Sequence, residues 1–187
     1  NAKLRTRLGL GFGAMLLMLI GTGISGYWGV GSISDGTTKM LQGDGTISED
    51  AARARANVLG LRRFEKDVFL NIGDREKEGK YYKQWQEQLE HLTARLKNAE
   101  KAAALTVQQD RDTLQSITKD ASNYAAGFQK VYAMIKEGKI KTPQEANAAI
   151  GEYKDEAHKM EQAAKDLATA TNERMDKQEE VVKQHTH

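Results

Sequence analysis

The segment AARARANVLGLRRFEKDVFLNIGD, residues 51–74, decides how this chain folds. Apolar residues recur along it at alternating steps of three and four, the spacing of one face of an amphipathic helix. Extended one turn upstream, this face comprises Ile47, Ala51, Ala54, Val58, Leu61, Val68 and Ile72. Glu65 occupies the one position in the series that should be apolar. Gly73 then ends the helix, and Asp74 is a candidate N-cap for the next.

The same alternation recurs further along the chain, so most of the sequence consists of predicted amphipathic helices. Ala, Glu, Lys, Gln and Leu, which favour helices, dominate after the first 45 residues. The predicted helices cover about residues 35–72, 75–104, 107–137 and 143–183. Capping-box patterns at 106–109 and 142–145 mark the starts of the third and fourth helices. Because the connections are short, we predict an all-α fold, an up-down-up-down antiparallel four-helix bundle.

The start of the chain has a different character, because residues 8–34 carry no charged side chain. A helix of this length reaches roughly 40 Å, which exceeds the roughly 30 Å core of a bilayer. Basic residues precede this stretch and Asp35 follows it, so the positive-inside rule puts residues 1–7 in the cytoplasm. We therefore predict a transmembrane anchor over residues 8–34, favoured over a cleaved signal peptide, with residues 35–187 forming a domain outside the cytoplasm.

The composition argues against several classes of function. The 28 basic and 26 acidic residues nearly cancel to a net charge of +2, whereas a nucleic-acid-binding domain usually carries a strongly basic face. The chain has no cysteine, and its four histidines are scattered, so we expect no metal site and no cofactor. No candidate nucleophile has a base beside it in the pattern, so we expect that the protein is not an enzyme.

The charged cluster of residues 62–67 is the candidate binding site. Counted from the turns at the distal end of the bundle, its arginines lie level with a tryptophan and three tyrosines of the other helices. Guanidinium groups, hydroxyl donors and aromatic walls suit a small carboxylate ligand. The predicted ligand-binding residues are Arg62, Arg63, Trp85, Tyr124, Tyr132 and Tyr153.

A structural role for the same residues is equally open. Arg62 can pair with Glu65 and Arg63 with Asp67 on the helix surface, and the tyrosines can be core residues. Glu65 is the more unusual feature, because a buried carboxylate needs a partner. Arg62 or Arg63, from the same chain or from a second subunit, is the expected partner.

Two stretches carry a resemblance to a known family. The basic start LRTRLGLGFGAMLLMLIG, residues 4–21, and the segment RRFEKDVFLN, residues 62–71, resemble the extracytoplasmic part of a methyl-accepting chemotaxis protein with a four-helix-bundle sensor. The resemblance implies a receptor in a bacterial inner membrane, with residues 35–187 as its periplasmic sensor domain, and a homodimer formed through the first helix. It also implies that arginines of this helix hold a small organic acid or amino acid near the distal end, and Arg62 and Arg63 match those positions. Signalling would run by a small axial shift of the fourth helix against the first.

Two alternatives to a chemotaxis receptor stay open. The same sensor module could belong to a histidine kinase or a cyclase, because only the output domain differs. The chain could instead be a membrane-anchored helical docking or spacer module without a small-molecule ligand. The identity of the ligand also stays open, since malate, citrate, succinate, acetate, an aromatic acid or an amino acid would suit two guanidinium groups. An amino acid would also need a carboxylate for its ammonium group, and Glu65 or Asp67 is the candidate.

Overall fold

The computed structural model describes residue 13, residues 15–24 and residues 36–185, the last without the side chains of residues 182, 184 and 185. Residues 13 and 15–24 are helical, but the predicted cytoplasmic start and most of the predicted membrane span over 8–34 lie outside the described residues. Within the described parts, no helix combines the length and apolar character needed to cross a bilayer. The membrane span therefore stays a prediction.

The chain divides into two compact units, Asn1–Lys39 and Met40–His187, and the second holds the bundle. Its α-helices are α1 (Thr46–Leu70), α2 (Arg75–Ala102), α3 (Gln108–Lys136), α4 (Pro143–Ala149) and α5 (Lys154–His185). A π-helical segment, Lys39–Gly45, precedes α1, and 3₁₀ segments occupy Ala103–Leu105 and Ile150–Tyr153. The all-α bundle is confirmed, and the predicted fourth helix is divided by the second 3₁₀ segment into α4 and α5.

The four long helices surround one apolar core. Helix α1 packs against α2 and α5, and α3 packs against α5 and, less closely, against α2. The predicted inner face of α1 is confirmed, because its residues from Ile47 to Val68 are at most 3% exposed, with Glu65 among them. The other helices contribute large buried side chains to the same core, among them Trp85, Leu92, Leu114, Ile117, Phe128 and Met160.

Two of the predicted helix caps are confirmed. Gly73 has a φ of 100°, which favours glycine, and the Asp74 side chain accepts a hydrogen bond from the Lys77 backbone N–H at 3.2 Å. Before α4, Thr142 and Glu145 form a full capping box, in which each side chain accepts a hydrogen bond from the other residue's backbone N–H. These caps mark the turn between α1 and α2 and the start of α4.

The predicted capping box at residues 106–109 is wrong. The N-cap of α3 is Val107, which has no capping side chain, and the hydroxyl of Thr106 donates backwards to the Ala103 carbonyl at 3.4 Å. The reason is the 3₁₀ turn that extends α2, because it brings Thr106 back over the Ala103 carbonyl, which also accepts from the Thr106 backbone N–H at 3.3 Å.

The 3₁₀ segment between α4 and α5 depends on one close approach. The ring of Tyr153 lies so near the backbone of α3 that a Cβ on Gly127 would be 2.3 Å from the Tyr153 Cγ. Glycine at position 127 is therefore required for this contact, whereas Gly79 on α2 has nothing within 4 Å of an added Cβ.

We expect Gly127→Ala to destabilise the bundle by about 1–3 kcal/mol, because the added methyl group must displace the Tyr153 ring. Urea unfolding of the purified chain, followed by circular dichroism, measures the change. The matched control is Gly79→Ala, which should stabilise α2 by about 0.5–1 kcal/mol because alanine favours a helix. Equal stability changes in the two variants would contradict the close approach.

Candidate ligand site on the first helix

The buried carboxylate of Glu65 lies at the centre of the candidate site. Its Oε2 accepts a hydrogen bond from the Tyr124 hydroxyl on α3 at 2.6 Å, and its Oε1 lies 3.0 Å from Lys66 Nζ. The prediction that Arg62 or Arg63 pairs with Glu65 is wrong for the single chain. Glu65 points into the core, where Tyr124 of α3 reaches it from the opposite side of the bundle, whereas Arg62 and Arg63 lie away from that face of α1.

The environment of Tyr124 keeps its hydroxyl protonated. Tyr124 is 1% exposed, and its pKa is raised well above the ordinary value of 10.0, chiefly by burial and then by the charge and hydrogen bond of Glu65. The positive charge of Arg62 opposes part of this rise in the pKa of Tyr124. The phenol is therefore a hydrogen-bond donor at neutral pH, which is what a buried carboxylate needs.

Three of the four predicted aromatic site residues belong to the core. Trp85 packs on Phe128 at 4.5 Å between ring centroids and lies 6.4 Å from Tyr124. Tyr132 stacks on Tyr82 at 3.8 Å and joins the same cluster. The cluster is the apolar backing behind Glu65.

Tyr153 lies apart from this aromatic cluster. It is half-buried over Gly127, and it makes no ring contact with the cluster within the described part of the chain. The common height predicted for the aromatic residues therefore does not place all of them in one group.

The two arginines point to different surroundings. Arg62 is half-buried, and its Nη1 lies 3.4 Å from His158 Nδ1 on α5. The Arg63 side chain is 76% exposed, with its Nε 3.8 Å from Asp67 Oδ2, so the predicted surface pair with Asp67 is confirmed. Among the described residues, no hydrogen bond, ion pair or ring contact joins either arginine to the predicted tryptophan and tyrosines. The structure therefore does not bring the predicted site residues together in one group.

Arg63 lies in a row of exposed residues along α1, which we call the outward seam. The other members of this row are alanines and leucines. Its members are Ala52, Ala56, Leu59, Arg63 and Leu70. They follow the three-and-four spacing of a helix-pairing face. Leu59 and Leu70 are 45% and 72% exposed, which is unusual for leucines on the helix that forms the centre of the core.

Polar contacts also tie α1, and the π-helical segment just before it, to α5 and α4. In the order of the chain towards the end of α1, they pair Asp44 with Arg174, Ser48 with Asn172, Arg55 with Glu161, Arg62 with His158, and Lys66 with Asn147. We call the first four of these the α1–α5 edge contacts. The sequence patterns did not reveal that Lys66 pairs with Asn147 or that Arg62 pairs with His158. Their pairing depends on the register of two antiparallel helices, and spacing within one helix does not reveal it.

We expect Tyr124→Phe to destabilise the protein by about 1–3 kcal/mol, because Glu65 would lose its buried donor while remaining in the core. The measurement is the free energy of unfolding in urea at neutral pH. Tyr81→Phe is the control, because the half-buried Tyr81 hydroxyl makes no hydrogen bond within the described chain. A loss of stability no larger than that of the control would show that the hydrogen bond contributes nothing.

Comparison with known proteins agrees with this architecture. The sequence profile of a family described as a four helix bundle sensory module for signal transduction matches residues 1–187. Searches of curated proteins and of solved structures found no match. Because the profile covers the whole chain, the protein belongs to this family, the four-helix-bundle sensory modules of methyl-accepting chemotaxis proteins.

Proposed function

We propose that this sensory module binds a small organic acid or amino acid through the arginines of α1. The signal is passed on as a shift of the fourth long helix, α5. The observation that carries the proposal is the state of the two guanidinium groups. Arg62 has no carboxylate within ion-pair distance among the described residues, and Arg63 has only Asp67 at 3.8 Å. A guanidinium group offers five N–H donors, so both side chains retain capacity for an anion.

The proposed setting is the periplasmic side of a bacterial inner membrane, with residues 8–34 as the anchor. The uncharged stretch between a basic start and Asp35 supports this arrangement. The family is one of sensory modules of membrane receptors, which also supports it.

The proposed assembly is a homodimer formed through the outward seam. Exposed apolar side chains at helix-pairing spacing favour burial against a second copy of the same stripe. A two-fold axis along the seam would bring Arg63 close to the Arg63 of the partner subunit. Like charges at that distance repel, so an anion between them would stabilise the pair.

The state of the nearby acids bears on the class of ligand. Both oxygens of Glu65 are engaged, by Tyr124 and by Lys66, so this carboxylate is not free to hold an ammonium group. Asp67, whose side chain is 29% exposed, is the remaining acid of the cluster. The arrangement therefore favours a carboxylate without an amino group, and an amino acid would have to use Asp67.

The proposed output is a change in the packing of α5 against α1. The α1–α5 edge contacts hold these helices in one axial register, and a ligand on α1 that favours a second register would shift the balance. A coupling of about 1–3 kcal/mol is typical for allosteric proteins and lies within what one carboxylate contact supplies.

We expect a small carboxylate to raise the melting temperature of the full chain in a mild detergent. At a ligand concentration about 100 times Kd, the stabilisation is roughly 2.7 kcal/mol, which corresponds to a rise of about 5 °C or more. The screen uses acetate, succinate, malate, citrate and an amino acid, read by differential scanning fluorimetry. Arg62→Ala or Arg63→Ala should reduce the rise caused by the active acid, and the variant that does so identifies the arginine that contacts the ligand.

The control for this screen is Arg53→Ala, which removes an exposed arginine of the same helix that is paired with Glu49 at 2.7 Å. It should leave the ligand-induced rise unchanged. If no acid raises the melting temperature, the ligand-binding proposal is wrong and the module acts as a docking or spacer element.

We expect Leu59→Glu to dissociate the proposed dimer, because the outward seam would then carry two like charges facing each other across the two-fold axis. Sedimentation velocity of the full chain in detergent measures the oligomeric state. Val107→Glu is the matched control, since Val107 is 49% exposed but lies off the seam. A dimer that persists in Leu59→Glu, or a wild-type chain that is monomeric, would rule out the seam as the interface.

A further inference from the structure

The contact between Arg62 and His158 differs from the other α1–α5 edge contacts. Below it, Arg55 meets the carboxylate of Glu161 at 3.3 Å, and Ser48 donates to Asn172 at 2.6 Å. These pairs match a donor with an acceptor. Arg62, in contrast, brings a guanidinium nitrogen to 3.4 Å from an imidazole nitrogen. This contact is longer than the usual hydrogen bond of about 2.7–3.2 Å, and His158 Nδ1 accepts it in only one imidazole tautomer. Unlike the contact between Arg55 and Glu161, it brings no negative charge to the guanidinium group.

Two acids one turn from this pair are already engaged. Glu65, one turn along α1, accepts from Tyr124 and lies against Lys66, and Glu161, one turn along α5, is paired with Arg55. Arg62 therefore has no carboxylate within ion-pair distance in the described chain. A half-buried guanidinium group beside an exposed imidazole, with no anion between them, is an arrangement suited to binding an anion.

We propose that Arg62 and His158 of the same subunit bind the ligand carboxylate between them, so that the ligand links α1 to α5. This inference rests on the proposed function and adds the binding geometry and a ligand-contacting residue, His158. The guanidinium group contacts the carboxylate through two N–H donors, and an imidazole N–H supplies a third. His158 is exposed, so a small acid reaches the pair from solvent without any opening of the core.

The proposed geometry explains how binding would act on the packing of the helices. Without ligand, Arg62 and His158 are joined only by this one long contact of 3.4 Å. With a carboxylate between them, both become donors to one anion, and the ligand joins the contacts that set the register of α5 against α1. Because the two residues lie in one chain, each chain binds one ligand, whereas a site on the two-fold axis of the seam binds one ligand per dimer.

Isothermal titration calorimetry on the full chain in detergent tests the inference. The probe is the acid with the largest thermal shift among acetate, succinate, malate and citrate. We expect one ligand per chain, and we expect Arg62→Ala and His158→Ala each to weaken binding about tenfold or more. His91→Ala is the control, because it removes an exposed histidine of α2, and its affinity should equal that of the wild type.

The other outcomes separate this inference from the proposed function. If His158→Ala binds the probe as tightly as the wild type, the contact is a structural hydrogen bond only, and the inference is wrong. If Arg63→Ala abolishes binding and the stoichiometry is one ligand per two chains, the site lies on the outward seam. The proposed function then survives and this inference does not. If the wild type binds none of the probes, both are wrong. Circular dichroism of each variant confirms that the bundle is folded.

Discussion

Burial of carboxylates is the constraint on which the rest of this bundle depends. The buried acids, each at most 4% exposed, are Asp44, Asp50, Glu65, Glu78 and Asp110. An ionised carboxylate in an apolar interior is costly unless a donor meets it, and here nearly every donor comes from another part of the fold. Arg174 on α5 serves both Asp44 and Asp110, and Tyr124 on α3 serves Glu65. Apolar packing tolerates small sliding of helices, but these pairs each match at one register, so they define how the helices align.

The dense charge cluster of α1 follows from the same constraint. Successive residues of an α-helix point about 100° apart, so neighbouring positions meet different surroundings. Arg62 faces α5, Arg63 lies on the outward seam, Glu65 enters the core, and Lys66 reaches Asn147 on α4. One short stretch thereby contacts every environment around the helix. Charged residues of this kind are ordinary on a solvated surface, whereas here each of them has its own surroundings in the fold.

The division between rigid core and adjustable edge is what a sensory module requires. Behind Glu65, the aromatic rings of Trp85, Phe128 and Tyr132 fill the interior closely. On other faces of α1, the polar contacts of Arg62 and Arg63 in the described chain are long, at 3.4 Å to His158 and 3.8 Å to Asp67. The anion that we propose for these side chains would therefore change the balance of contacts between helices without disturbing the packed core. Interfaces with two discrete packings convert small local changes into helix shifts.

The amino-acid sequence by itself determined the all-α class, the four-helix bundle, the inner face of α1 and the caps at Asp74 and Thr142. These features depend on periodicity and on interactions within a few residues, which the sequence displays directly. Only the tertiary structure decided that Tyr124 and not an arginine satisfies Glu65, that Thr106 bonds backwards, and that Arg62 meets His158. Distance from a turn predicts the height of a residue along the bundle. Its partner at that height depends on which helices are neighbours and on how each is rotated about its axis, and both are set by the packing of the whole core.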